Sequence, residues 1–224
     1  MQIIAHRGAS AFFKENTLTA FKAALAFGVN SFETDIQLTK DNFLVLQHDY
    51  FLENKTIKEY SFKELKNLGL CSLEKLLSIL NKRNKLNIEI KNDDNIYPGI
   101  EEKLAACLKQ LGQDKNPNLL ISSFYLPSLE KIKKLLPNLK IGLLTKNFDL
   151  KEVERLHPYS VNMSYKRITK EIINLCHSKN IKVFIYTVND LELLNNLEKD
   201  GVDAVFSDNP VLNQTNFFGL GCSK

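Results

Sequence analysis

Short apolar, β-prone runs and longer stretches with helical spacing alternate along this chain from one end to the other. That rhythm restricts the fold more than any other feature. Strands separated by helices pair in parallel through right-handed crossovers, which places helices against the sheet faces. The expected strands are Gln2–Ala5, Ser31–Gln37, Leu86–Ile90, Leu119–Ser122, Lys140–Leu144, Ser160–Met163, Lys182–Tyr186 and Ala204–Ser207. An extra extended piece, Phe43–Gln47, reads as a hairpin partner of the second strand. Helices are expected at Thr17–Phe27, with Gly28 beyond its end, at Leu73–Leu80 behind Ser72, and at Ile100–Leu111, Leu126–Leu136, Leu150–Leu156, Thr169–Lys179 and Asp190–Lys199. A short helix is also expected after Pro210. Eight strand–helix units argue for an α/β protein of the closed (β/α)8 TIM-barrel type, with an open doubly wound sheet as the alternative.

No Pro/Gly/Ser-rich linker divides the 224 residues, so residues 1–224 are read as one domain. Residues 49–71 form a short insertion near the mouth, and residues 213–224 a peripheral tail. Hydrophobic residues at 44% and charged residues at 25% are enough for a globular core. The net charge is +4 with no basic block, which argues against a nucleic-acid partner and for mild attraction of a small anion. Cys71, Cys107, Cys176 and Cys222 are scattered without a CxxC pair, as reduced thiols would be. The opening MQIIAHRG reads as a strand rather than a signal peptide, and no apolar run reaches spanning length. The expectation is a cytoplasmic protein without stable membrane insertion; the oligomeric state is left open.

Polar residues gather where the expected strands end, which is where a barrel enzyme keeps its chemistry. The first strand runs into His6-Arg7-Gly8, the second holds Glu33-Thr34-Asp35, the extended piece leads to His48-Asp49, and the third contains Glu89-Ile90-Lys91. Side chains two apart on a strand face the same way, so Glu33 joins Asp35 and Glu89 joins Lys91. Three carboxylates converging inside a barrel are costly unless a hard cation such as Mg²⁺ or Ca²⁺ neutralises them. His6 and His48 are suited to proton transfer near neutral pH, and Arg7 and Lys91 to holding phosphoryl oxygens.

His6-Arg7-Gly8, Glu15-Asn16-Thr17 and Ala20-Phe21 resemble the opening signature of the glycerophosphodiester phosphodiesterase family. Glu33-x-Asp35, His48-Asp49 and Glu89-Ile90-Lys91 resemble its following motifs in order. Tyr186-Thr187-Val188-Asn189, Gly201-Val202-Asp203 and Ser207-Asp208-Asn209-Pro210 resemble its last ones. The resemblance implies a (β/α)8 barrel and metal-dependent hydrolysis of glycerophosphodiesters to sn-glycerol 3-phosphate and an alcohol. It also implies Glu33, Asp35 and Glu89 as metal ligands, His6 and His48 as the acid/base pair, and Arg7 and Lys91 at the phosphate. Asn16 and Glu15 would help to hold the site, and Ser123 and Tyr186 are candidates for substrate contact. Ser123 has a second reading as the cap of the next helix, and Asp208 reads as an ordering residue of the last loop. The chain departs from the family pattern at Lys14, where proline is usual, at Tyr186, where tryptophan is frequent, and in the shortness of the segment Asp49–Cys71. Two alternatives stand beside this reading. One is a lysophospholipase D or related phospholipase on the same scaffold; the other is a non-catalytic barrel that binds phosphodiesters or a protein.

Overall fold

The computed structural model describes residues 1–214. Eight parallel strands form the barrel: β1 (Gln2–Ala5), β2 (Ser31–Leu38), β6 (Lys85–Ile90), β7 (Leu119–Ser123), β8 (Lys140–Thr145), β9 (Ser160–Ser164), β10 (Lys182–Tyr186) and β11 (Ala204–Ser207). They lie side by side in that order. The sheet closes on itself because β1 pairs with β11 on one side, Gln2 opposite Ala204, and with β2 on the other, Ala5 opposite Phe32. The closed (β/α)8 barrel expected from the strand–helix rhythm is therefore present. The extended piece after β2 is β3 (Leu44–Leu46), antiparallel to β2 with Leu44 opposite Leu38.

The two-residue period of the strands sorts their side chains. Phe32 and Ile36 of β2, Ile88 and Ile90 of β6, Ile121 of β7, Val183 and Ile185 of β10 and Val205 of β11 join the main core. There they meet Phe21 of α1 (Leu18–Ala26), Leu104 and Leu108 of α4 (Ile100–Gln110), Ile132 of α5 (Leu126–Leu135), Val153 of α6 (Leu150–Leu156), Ile173 of α7 (Lys170–Ser178) and Leu194 of α8 (Leu191–Lys199). Each such side chain withdrawn from water contributes about 1.5–3 kcal/mol. The intervening residues point into the barrel. Ile4, Leu120, Phe184, Ala204 and Phe206 form a separate apolar cluster there. By the same parity, Glu33 and Asp35 on β2 and Asn87 and Glu89 on β6 face inward.

The insertion is more structured than its sequence pattern foretold. It holds a hairpin of β4 (Phe51–Leu52) and β5 (Lys55–Thr56), a 3₁₀ turn at Ile57–Glu59 and the helix α2 (Phe62–Asn67). Val45, Ile57, Tyr60, Leu65 and Leu70 give it a small apolar core of its own. The next helix, α3 (Leu73–Leu77), stops short of Leu80, because Ile79 and Leu80 donate to carbonyls three residues back, those of Leu76 and Leu77, and tighten the end. The helix expected after Pro210 is corrected to turns over residues 210–213. The Asn209 side chain accepts the Val211 N–H at 3.3 Å and the Asn209 carbonyl accepts that of Leu212 at 3.1 Å, so the helical pattern never starts. Most of the tail expected at 213–224, with Cys222, lies outside the described residues. Among the described residues, Cys71, Cys107 and Cys176 are free thiols, and no helix is long and apolar enough to cross a membrane.

Candidate active site

The loop leaving β1 sets the first side of the site. The His6 N–H continues the ladder to Ser207 at 2.9 Å, and Arg7 then turns into the left-handed region with φ 56°. Its N–H is held twice, by the Glu33 carbonyl at 3.1 Å and by Glu33 Oε2 at 3.0 Å. Gly8 follows at φ 86°, and a Cβ there would lie 2.7 Å from Ala20 of α1, so only glycine lets the loop lie on the helix. Two links then fix the guanidinium of Arg7: Nη1 donates to Glu15 at 2.9 Å, and Nε sits 3.2 Å from Asp35. Burial weakens the charge on Arg7, but Asp35, Glu33 and Glu15 outweigh it and hold its pKa above the ordinary value.

Glu33, Asp35 and Glu89 place one carboxylate oxygen each within 4.8 Å of the others. Asn16 braces the group from behind. Its amide donates to Asp35 at 3.0 Å and its carbonyl oxygen accepts from the Thr34 hydroxyl at 2.8 Å. Glu33 Oε1 and Asp35 Oδ1 are buried without a hydrogen-bond donor. Burial first, then repulsion from Asp35 and Glu89, raises the Glu33 carboxyl well above the carboxylate range. Burial and Asp35 push Glu89 up to about 7, although Lys91 donates to it at 2.9 Å. Three carboxylates that each bring an oxygen to one spot, two of them with a buried oxygen that no donor claims, fit a hard divalent cation.

The two histidines come from different loops but are held alike. His6 Nδ1 lies 2.7 Å from Asp208 Oδ1, and its Nε2 is 3.9 Å from Glu33. His48 Nδ1 lies 2.7 Å from Asp49 Oδ1. In both rings a carboxylate occupies Nδ1 and Nε2 is left for the cavity. Asp208 is itself fixed by Ser10 at 3.0 Å and by the amide of Asn189. Although burial acts against it, hydrogen bonding and attraction from His6, with help from Asn189 and Ser10, bring its pKa down to about 2. The His48 loop hangs on one buried side chain: Gln37 donates to the carbonyls of Gln47, His48 and Asp49 at 2.9, 3.1 and 2.8 Å.

His6, Arg7, Glu33, His48, Glu89, Lys91 and Tyr186 line one cavity of about 250 Å³, whose remaining wall includes Phe124, Leu144, Thr187 and Phe206. Tyr186 supplies an aromatic side, packed edge-on against Phe124 at 6.2 Å, and its hydroxyl donates to the Thr145 carbonyl at 3.4 Å. Asp35 and Asn16 sit behind this lining, and Glu15 reaches it only through Arg7. The substrate contact considered for Ser123 is corrected. Its buried hydroxyl donates to the Ile90 carbonyl at 2.8 Å and accepts the Tyr125 N–H at 3.1 Å, so it shapes the turn into α5 rather than facing the cavity. Reading the sequence assigned no site role to Gln37 and only loop ordering to Asp208. For Asp208 the available signal was its place directly after β11, at the same barrel end as His6.

The model of the Glycerophosphoryl diester phosphodiesterase family matches residues 6–212. A glycerophosphodiester phosphodiesterase of Caldanaerobacter subterraneus subsp. tengcongensis is 35% identical over 93% of this chain and 94% of its own. One from Bacillus altitudinis is 32% identical over 93% and 95%. Among solved structures, a phosphodiesterase of Oleispira antarctica in complex with the product sn-glycerol-3-phosphate superposes with a TM-score of 0.83, at 27% identity over 94% of both chains. The glycerophosphodiester phosphodiesterase of Thermotoga maritima gives 0.79 at 29% identity, over 94% of this chain and 96% of that one.

Proposed function

From the premise that this chain belongs to the glycerophosphoryl diester phosphodiesterase family, we propose that it hydrolyses glycerophosphodiesters to sn-glycerol 3-phosphate and an alcohol in the cavity described above. The observation that carries this reading is the meeting of two carboxylate-anchored histidines with a buried three-carboxylate cluster around one space. The Oleispira antarctica relative, with its bound product, supports the same substrate class. The common apolar core running through the strand–helix units supports treating the described residues, 1–214, as one barrel domain.

Glu33, Asp35 and Glu89 would hold the divalent cation, Mg²⁺ or Ca²⁺, and their all-oxygen set disfavours a soft metal. When bound, that cation supplies Lewis-acid stabilisation of charge on a phosphoryl oxygen. Arg7 and Lys91 are the cations of this chain placed to hold the phosphate. Lys91 keeps its charge although it is buried, because Glu89 and Asp35 outweigh the desolvation that would strip it. One histidine Nε2 takes the proton of the nucleophile, and the other gives a proton to the leaving alcohol oxygen. Asp208 and Asp49 fix the two rings so that Nε2 is the reactive nitrogen in each. Tyr186 and Phe124 form an apolar wall that excludes water from one flank of the bound diester.

The test is release of sn-glycerol 3-phosphate from glycerophosphocholine, glycerophosphoethanolamine and glycerophosphoglycerol with Mg²⁺, with Ca²⁺ and with EDTA. Release that needs a divalent ion is the expected result. No release from any diester with either ion would refute the reading.

A further inference from the structure

We propose that the arc of the mouth following β8 and β9 is the subsite for the alcohol part of the substrate, and that it favours alcohols bearing a second phosphodiester over alcohols bearing a quaternary ammonium. The inference rests on the phosphodiesterase reading and adds a substrate class to it.

Barrel order fixes the geometry. The strands run β1, β2, β6, β7, β8, β9, β10, β11 around the ring, so β8 and β9 stand across from β1 and β2. His6, Glu33 and Glu89 therefore lie on one arc and the loops after β8 and β9 on the facing one. A diester whose glycerol phosphate end is held at the carboxylates extends its alcohol along the wall of Phe124, Leu144 and Tyr186 toward those loops.

The facing loops carry Lys146, Lys166 and Arg167, all exposed. Lys146 Nζ sits 6.0 Å from the centre of the Phe124 ring, over the wall itself. Arg167 bridges the two loops, donating through Nη1 to the Lys146 carbonyl at 3.2 Å and to the Asn147 side chain. That leaves much of its fork unclaimed, a shape that matches a phosphate. Among the described residues, neither Lys146 nor Arg167 has a carboxylate within 4.0 Å, so their charge is not cancelled locally. Lys91, which also donates to Glu89, lies 6.0 Å from the centre of the same Phe124 ring. The aromatic surface that would stack a quaternary ammonium is thus already flanked by two ammonium groups, and a further cation there meets repulsion. Of the nearby carboxylates, Asp49 follows β3 and Asp93 follows β6, while Asp149, in the same loop as Lys146, caps α6 by accepting the Lys151 N–H.

A suitable probe is bis(glycerophospho)glycerol. Water cleaves one P–O bond, releasing sn-glycerol 3-phosphate and glycerophosphoglycerol, which keeps the second diester. The experiment compares its kcat/KM with that of glycerophosphocholine in the wild type and in Lys146→Glu/Arg167→Glu. A control of equal charge change, Lys82→Glu/Arg83→Glu, sits at the opposite end of the barrel before β6. The wild type should prefer the bis-diester. The rim variant should lose about tenfold or more of that preference, the control should retain it, and added salt should erode it. Should the charge reversal fail to fold, Lys146→Gln/Arg167→Gln gives the same comparison with a smaller effect. A preference ratio unchanged by the rim substitutions, or moved equally by the control, overturns the subsite while leaving phosphodiesterase activity in place. No turnover of either diester overturns both readings.

Discussion

His6 and Asp208 meet at 2.7 Å where β1 and β11, the first and last strands of the barrel, run side by side, although 202 residues separate them in the chain. Asp208 holds the ring and does not line the cavity, so its effect on turnover passes through His6. Asp208→Asn is expected to lower kcat about a hundredfold, and His6→Ala by about as much or more. The double variant should be scarcely worse than His6→Ala alone. Independent, multiplicative losses would show that Asp208 acts elsewhere.

His48 is a third exposed, and its backbone is carried by Gln37. His48→Ala should therefore remove about two to four orders of magnitude of turnover while thermal melting hardly changes. Gln37→Leu should do the reverse in part: three carbonyls lose their donor, stability falls by about 1–3 kcal/mol, and the His48 loop is displaced. Urea denaturation together with turnover separates the two cases.

Removal of divalent ions should give the protein an unusual pH dependence. The ordinary Glu value is 4.5, and Glu89 is pushed up to about 7, with Glu33 also raised. Between those values the folded, ion-free protein holds protons that the unfolded chain has released, so its stability falls as pH rises through the interval. Binding a cation requires the ionised carboxylates and reverses the trend. Melts in EDTA should drop by several degrees from pH about 5 to pH about 7.5, while the gain from added Mg²⁺ or Ca²⁺ grows over the same range. A gain that does not change with pH would contradict the assigned ligand set.

Ser123→Ala should cost about 1 kcal/mol of stability, from the two hydrogen bonds its hydroxyl makes, and leave kcat/KM near the wild-type value. A drop in kcat/KM with unchanged stability would restore a substrate role.

Gly8→Ala should destabilise by about 1–3 kcal/mol or more, because its Cβ would overlap the backbone of Ala20. Since the same loop presents His6 and Arg7, turnover should fall with it. Wild-type stability in this variant would mean that the loop can move off α1 without loss.

The barrel and the carboxylate cluster were legible because both follow from short-range periodicity. Alternation along β2 already put Glu33 and Asp35 on one face, and along β6 it put Glu89 and Lys91 on one face; which face was inner came from the barrel, where the three carboxylates meet. Asp208 was harder, because nothing local to Ser207-Asp208-Asn209 indicates a partner on the first strand. Gln37 reads as one more strand residue until the loop it supports is seen. In the insertion, Thr56 with Glu59 and Ser61 with Glu64 are capping boxes visible in the sequence. The elements they start are too short to show a helical period, so they went unassigned. Ser123 went the other way: a polar residue after a strand suits both a turn and a site, and only its two partners decide.

The small nucleus of Val45, Ile57, Tyr60, Leu65 and Leu70 gives the insertion a foundation separate from the barrel wall. Only Val45 of the five belongs to the barrel sheet, through β3. A piece rooted in this way can be trimmed, extended or exchanged over generations while the strands that carry the histidines and carboxylates keep their register. The insertion is thus the part of the fold whose length can change at least cost to the strands it is rooted on.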